Sequence, residues 1–396
     1  MDHSELFQTD LIYKRVGHIT VPYRHYIIVW GGFVGEKVGS VSGYCSSEQL
    51  WFYNCLTDVW TLKKTVGEVP SGTSGSTAVV HDDELYIFSG IEEVGDDLWT
   101  YSNKLYRLDL SSLTWTKLVG TGRQPQPCDK SVGWYYKQRL YFFGGYGTRP
   151  REPPYDFHYV IDNSDSGRVW NNQFICFDLA TNSWIKPKEH GYRPSPRAAH
   201  SADVAGCLVY IFGGRIGEMR NNELFCLDMK TFTWSHNLTH STTMNTSVPA
   251  GRSWHTFNFV SPNRAVLYGG LLKYGMPAMD CWECSIDSGQ NVKWYQRKTT
   301  EPLCWHQAAY CAATGDLAIV GGVTTSPYEM REEDHVDSMI MIHYQPKSLF
   351  RLSMDVILEN DLLNLSPKLV ENYIPETLLQ LLRKRASQKR NPFEEF

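Results

Sequence analysis

No stretch of this chain approaches the roughly 18 apolar residues of a membrane-spanning helix, so a bilayer is not an expected partner. The opening residues, Met1-Asp-His-Ser-Glu-Leu-Phe7, carry acidic groups where a secretory leader would have an apolar core, and the expected location is the nucleus and cytoplasm. Charge of one sign is also scarce: 38 Lys and Arg against 43 Asp and Glu leave a net charge of -5. That gives no global attraction for nucleic acid, and any charged ligand must be read by a local patch. Glycine loops of the Walker or dinucleotide type are missing and no nucleophile stands beside a base, so no catalytic residue and no cofactor is expected. Ten cysteines are scattered without the spacing of a disulfide framework, as reduced thiols packed like small hydrophobes would be. Cys281-Trp-Glu-Cys284 is the exception. A zinc or redox site would want a second pair, and on a strand a separation of three points the two sulfurs to opposite faces, so no metal is expected there.

What the chain has is glycine in pairs. Gly31-Gly32, the degenerate Ser89-Gly90, Gly144-Gly145, Gly213-Gly214, Gly269-Gly270 and Gly321-Gly322 recur with a mean spacing of 58 residues. Each closes a short apolar run such as Tyr26 to Trp30 or Leu208 to Phe212, and a tryptophan follows most of them, at Trp60, Trp115, Trp184, Trp234 and Trp294. Runs of β-branched and aromatic residues bounded by Gly, Pro, Asn and Asp read as strands, and paired glycines supply backbone freedom where a strand ends against a neighbour. One such unit cannot bury both faces alone; radial stacking buries them and packs the tryptophans between units. The period, a little above the roughly 50 residues of a kelch repeat, and the recurring tryptophan resemble kelch. The predicted fold is all-β, a six-bladed kelch β-propeller over residues 1–345 with a C-terminal helical tail over 346–396. The last doublet is followed by one clear strand, Ser338 to Tyr344, and no tryptophan, so Phe7 to Tyr13 is expected to complete the sixth blade and close the ring. His18, His200, His255 and His306 recur at matching positions, which predicts a repeated core hydrogen bond.

After Pro346 the apolar residues recur at three and four, through Leu349, Ile357, Leu378 and Leu381, with Pro375 placed where a helix would start. The run from Arg383 through Arg390 reads as a solvated basic helix terminus or an import signal. Taken together, Arg197-Ala-Ala-His200, Gly213-Gly-Arg215 with Arg220-Asn-Asn222, Arg252-Ser-Trp-His255, Trp305-His306 and the leucine-rich tail resemble the kelch-repeat substrate receptors of cullin-2 ubiquitin ligases. The resemblance runs over essentially the whole chain. It implies a protein that binds the C-terminal ends of its targets, has elongin C, elongin B and cullin-2 as partners, and leaves catalysis to them.

In an antiparallel blade the loop after each doublet and the segment entering the next first strand lie at one face. That places Lys130, Tyr146, Arg168, Trp170, Arg215, Arg220, Ser253 and Trp254 around one mouth. Two guanidiniums and a hydroxyl suit a carboxylate, because planar Arg forks give charge-assisted, bidentate hydrogen bonds. The resemblance assigns that task to Arg215, Arg220 and Ser253, with Tyr146, Trp170 and Trp254 as walls and Lys130 and Arg168 toward the remaining peptide backbone. It also implies a preference for substrates ending in glycine, especially diglycine. Arg197 and Arg252 are expected to form structural ion pairs instead. In the tail, Leu349, Ser353 and Ile357 resemble a BC-box for elongin C, with Ser353 in place of the usual Cys, and Ile374, Pro375, Leu378 and Leu381 resemble a cullin-2 box. Two rivals stand beside this reading: a kelch scaffold without ubiquitin transfer, whose tail only caps the propeller, and a copper-dependent kelch oxidase, whose Tyr, His and Cys constellation is not visible here.

Overall fold

The structure is a computed structural model that describes residues 12–34, 43–95, 98–151, 156–239, 247–298, 301–329, 331, 334–360, 362–364 and 374–389. Six mainly antiparallel sheets form the blades of a β-propeller. Blade one shows the pattern, with Ile19–Tyr23, Tyr26–Trp30, Gln49–Asn54 and Val59–Lys64 paired in chain order. The innermost strands of successive blades are neighbours, and that of blade six, Gln307–Cys311, lies beside Ile19–Tyr23 to close the ring. Four of the five repeat tryptophans pack on the aromatic residue that precedes the doublet of the preceding blade. Trp115 lies 5.4 Å from Trp30, Trp184 5.5 Å from Phe88, Trp234 5.3 Å from Phe143 and Trp294 5.4 Å from Phe212.

The doublets tie one blade to the next. The second glycine donates its N–H to the segment entering the following blade: Gly32 to Thr73 O, Gly145 to Arg197 O, Gly214 to Arg252 O, Gly270 to Leu303 O and Gly322 to Arg15 O. Gly214 lies at φ +96, and a Cβ there would sit 2.9 Å from the His200 Cβ, so only glycine fits this close approach. Beside three of these junctions a core imidazole sits at a backbone carbonyl: His255 sets Nε2 3.2 Å from Phe212 O, and His200 and His306 face the carbonyls of Phe143 and Tyr268. Burial drives these imidazoles to the neutral form, lowering His200 and His306 to about 3. Arg197 and Arg252 are fully buried and pair with Glu223 at 2.6 Å and Asp280 at 2.5 Å, as structural ion pairs should. Cys281 packs with Tyr268 and Leu317 while Cys284 packs with Phe212 and Trp294, so the two sulfurs do serve opposite faces of their strand.

Blade six shows three strands, Gln307–Cys311, Asp316–Val320 and Ile340–His343, among the described residues. Most of the segment expected to complete it, Phe7 to Leu11, lies outside them. Its last two residues, Ile12 and Tyr13, are helical rather than extended. Side chains rather than a strand ladder anchor them: Ile12 is fully buried between blades one and six, and Tyr13 Oη accepts from Trp60 Nε1 at 2.8 Å.

Among the described residues the tail contributes two α-helices, Leu349–Glu359 and Glu376–Lys389; the stretch expected to lead into the second, from Ser366 to Tyr373, lies outside them. Ser348 caps the first by accepting from Arg351 N. That helix docks through charge: Arg351 bridges Asp316 at 2.8 Å and Asp58 at 3.3 Å. Arg385 of the second helix pairs with both Asp58 and Asp355, above the buried Leu379 and Leu382. The Gln388 amide caps the outer edge of blade one, engaging Trp60 N at 2.9 Å and Trp60 O at 3.1 Å. Asp58 sits in the turn between third and fourth strands and Asp316 begins a second strand, so both lie on the face opposite the glycine doublets.

Candidate functional site

At the doublet face the chain makes a left-handed turn once per blade, one residue before the core His or Ser. Gly17, Gly75, Lys130, Ala199, Trp254 and Trp305 have φ between +52 and +69. Their backbones join hand to hand: Gly75 N donates to Gly17 O, Lys130 to Gly75, Ala199 to Lys130, Trp254 to Ala199 and Trp305 to Trp254, at 2.7 to 3.0 Å. Non-glycine residues in this conformation are strained by about 1 kcal/mol or more each and gather at functional sites. Here the strain turns Lys130 and Trp254 toward the mouth, where both line a cavity of about 540 Å³.

The doublet loops supply the rest of the wall. Tyr146 follows Gly144-Gly145 and is the cross-strand partner of Trp170, their rings 4.9 Å apart, while Arg168 pairs with Thr148 two residues further on. Arg215 follows Gly213-Gly214 and faces Arg220 across a tight hairpin turned at Gly217, φ +57. Lys130, Tyr146, Arg168, Trp170, Arg215 and Trp254 all line the cavity. Arg220 stands across the hairpin from Arg215, and Ser253, fully buried, sits next to Trp254 and is bridged to Leu271.

The charges sort into two groups. Lys130 is paired with buried Asp129, Arg168 with Asp165 at 3.0 Å, and Tyr146 donates to Asp162 at 2.5 Å. Burial pushes the Asp129 carboxyl up, against the pull of Lys130. At Asp162 burial acts in the same sense, but hydrogen bonds from Ser164 and Tyr146 and the field of Arg215 outweigh it and hold the carboxyl below its usual range. Arg215 and Arg220, in contrast, have no carboxylate within ion-pairing distance among the described residues. Burial pushes the Arg220 guanidinium below its usual pKa, the sign of a desolvated cation. Arg215 Nε, Arg220 Nε, Ser253 Oγ and Trp254 Nε1 are all buried without a hydrogen-bond partner. Buried polar groups normally find partners, and these four orphans lie on neighbouring residues of blades four and five.

Sequence patterning missed the other half of the wall. Trp99 and Tyr101 come from blade two, whose central strands, Glu84–Gly95 and Leu98–Asp109, run well past the doublet. Two apart on one strand, they share a face, and the Arg168 guanidinium lies 4.5 Å above the Trp99 ring. Arg168 thus enters the cavity wall already paired with Asp165 and stacked over Trp99. Phe33, Tyr44 and Tyr328 close the remaining sides.

On the opposite face, the first tail helix turns its charged side to the propeller and its apolar side to solvent. Leu349 is 83% exposed, and Phe350, Leu352, Ser353 and Val356 are exposed with it, while Ile357 is half-buried. In the second segment Pro375 is exposed and Ile374, Leu378 and Leu381 are half-buried. An apolar face left in water over two turns is a feature of interaction surfaces.

A model of the KLHDC2/KLHL20/DRC7 Kelch-repeats domain matches residues 17–270 and 163–322. Kelch domain-containing protein 2 of Bos taurus is 34% identical over 355 residues, covering 87% of this chain and 84% of that protein. Kelch domain-containing protein 1 of Homo sapiens is 32% identical over 389 residues, covering 94% of this chain and 92% of that one. A solved structure of YjhT superimposes with a TM-score of 0.61 over 83% of this chain and 95% of that chain, at 13% identity, a likeness of fold alone. The chain belongs to the kelch-repeat β-propeller family that contains kelch domain-containing proteins 1 and 2.

Proposed function

We propose that this protein is the substrate-recognition subunit of a ubiquitin ligase assembled with elongin B, elongin C and cullin-2, acting in the nucleus and cytoplasm on proteins whose chains end in glycine. The observation that carries the reading is the set of unpartnered donors around Arg215 and Arg220. A terminal carboxylate brings a negative charge and about four lone-pair positions, enough to serve both guanidiniums and Ser253 together. An internal peptide carbonyl brings one neutral oxygen. Trp170 and Trp254, with ring centroids 5.6 and 5.8 Å from the Arg215 guanidinium, crowd the space next to that carboxylate and favour a residue without a side chain.

The tail supports the second half of the reading. Leu349 and Ser353 project from the face opposite the cavity, an arrangement that lets one surface hold a substrate while the other holds the ligase. The protein itself then needs no catalytic residue. Affinity capture tests both halves at once, using wild type, Leu349→Asp and Arg215→Ala on beads of elongin B/C and on beads carrying a diglycine-ended peptide. Leu349→Asp should lose elongin and keep the peptide, and Arg215→Ala should do the reverse. Retention of elongin at wild-type yield by Leu349→Asp removes the ligase assignment.

A further inference from the structure

Among the described residues, one contact in the cavity has no counterpart in the other blades. Tyr328, in the loop after the sixth doublet, reaches back across the mouth so that its hydroxyl accepts from Arg215 Nη1, near enough to Arg220 for the two groups to interact. Its ring stands 5.9 Å from the Arg215 guanidinium and 6.0 Å from Trp254, edge to face. Yet the residue is 59% exposed, held at its tip rather than by packing. The phenol oxygen thus occupies a donor of Arg215, which like Arg220 has no carboxylate partner among the described residues, at the place where an anionic acceptor belongs.

We propose that Tyr328 is an intramolecular stand-in for the ligand carboxylate and sets the affinity of the pocket by competing with it. The proposal rests on the carboxylate reading above and adds a residue from a blade that contributes none of the eight positions expected at the mouth. The competition follows from acceptor chemistry. A neutral phenol oxygen offers two lone pairs and leaves Arg215 Nε, Arg220 Nε, Ser253 Oγ and Trp254 Nε1 unserved. A carboxylate offers twice as many positions and a charge, so it displaces the phenol. Until it does, only the fraction of molecules with Tyr328 swung out is competent to bind, and the apparent affinity is reduced by that fraction. Mostly exposed and held by its hydroxyl, the side chain swings without disturbing the blade core.

Tyr328→Phe isolates the effect, because it keeps the ring beside Arg215 and Trp254 and removes only the competing oxygen. Titrated with a diglycine-ended peptide, this variant should bind about tenfold tighter than wild type, the worth of one hydrogen bond to a charged group. The gain should appear in the association rate, with dissociation unchanged, since the competitor acts on the empty state. Unchanged affinity overturns the proposal. Weaker binding with faster dissociation also overturns it, and makes the hydroxyl a donor to the bound ligand. If wild type and Tyr328→Phe both fail to bind the peptide, the carboxylate reading falls and the stand-in falls with it; binding by wild type without a gain in the variant refutes the stand-in alone.

Discussion

Replacing Arg385 by alanine should loosen the docking of the tail and leave the propeller intact. Arg385 is 1% exposed and lies between Asp58 and Asp355, whose side chains are 13% and 11% exposed. Removing one partner of a buried ion pair typically destabilises by about 3–5 kcal/mol, because the other charge stays desolvated. Here each carboxylate keeps a second cation, Asp58 through Arg351 and Asp355 through Lys347, which places the expected loss near the lower end, about 3 kcal/mol. Leu379 and Leu382 remain as apolar anchors, so the helix opens more often rather than dissolving. A loss of about 3 kcal/mol corresponds to roughly a 100-fold rise in opening, read by hydrogen exchange over residues 376–389. Acid should act on the same contact. Burial raises the Asp355 carboxyl, but Lys347 and Arg385 more than offset it and hold it below the ordinary value. A lowered carboxylate contributes stability above its unfolded pKa of about 3.9 and loses it as pH falls through the folded value, so tail protection, corrected for the intrinsic exchange rate, should fall below about pH 4. Exchange unchanged in the tail, or raised equally in all six blades, would refute the charged dock.

Gly214→Ala should destabilise the whole ring by about 2 kcal/mol or more, since it combines a left-handed backbone with a Cβ 2.9 Å from that of His200; an unchanged urea midpoint contradicts the doublet account. The buried neutral histidines predict that stability falls as pH drops from about 6.5 toward 3, by up to about 1.4 kcal/mol per pH unit for each imidazole that the unfolded chain protonates and the folded chain does not. Urea midpoints between pH 7 and pH 5 check this, and His255→Gln should flatten the slope.

The parts of this molecule that repeat are the parts a reader of the sequence can find. Gly214 and Gly322 are visible because each junction needs the same close approach, and Trp115 and Trp234 because each fills the same gap. Six of the eight expected mouth residues line the cavity for a related reason: antiparallel strand order alone dictates which loops share a face. The ring of left-handed residues is hidden, since Lys130, Ala199, Trp254 and Trp305 are not types that announce a positive φ. Only a register of all six repeats aligns them with Gly17 and Gly75. Trp99 and Tyr328 lie where blades differ in length, and periodicity says nothing there. The tail is legible as helix from the spacing of Leu349, Ile357, Leu378 and Leu381, but its buried face is set by Arg351 and Arg385. Charge pairing across 293 and 327 residues of chain leaves no local pattern.

The proposed function requires the propeller to read a free C-terminal carboxylate. Calorimetric titration of the wild-type chain with a diglycine-ended peptide and with the amide of the same peptide tests it most directly. Amidation removes the charge and leaves two desolvated guanidiniums underpaired, a loss of about 2–5 kcal/mol, or roughly 30-fold and more in affinity. Arg215→Ala and Arg220→Ala should each weaken the acid by a similar factor and narrow its advantage over the amide. Equal binding of acid and amide by the wild-type chain would contradict the account.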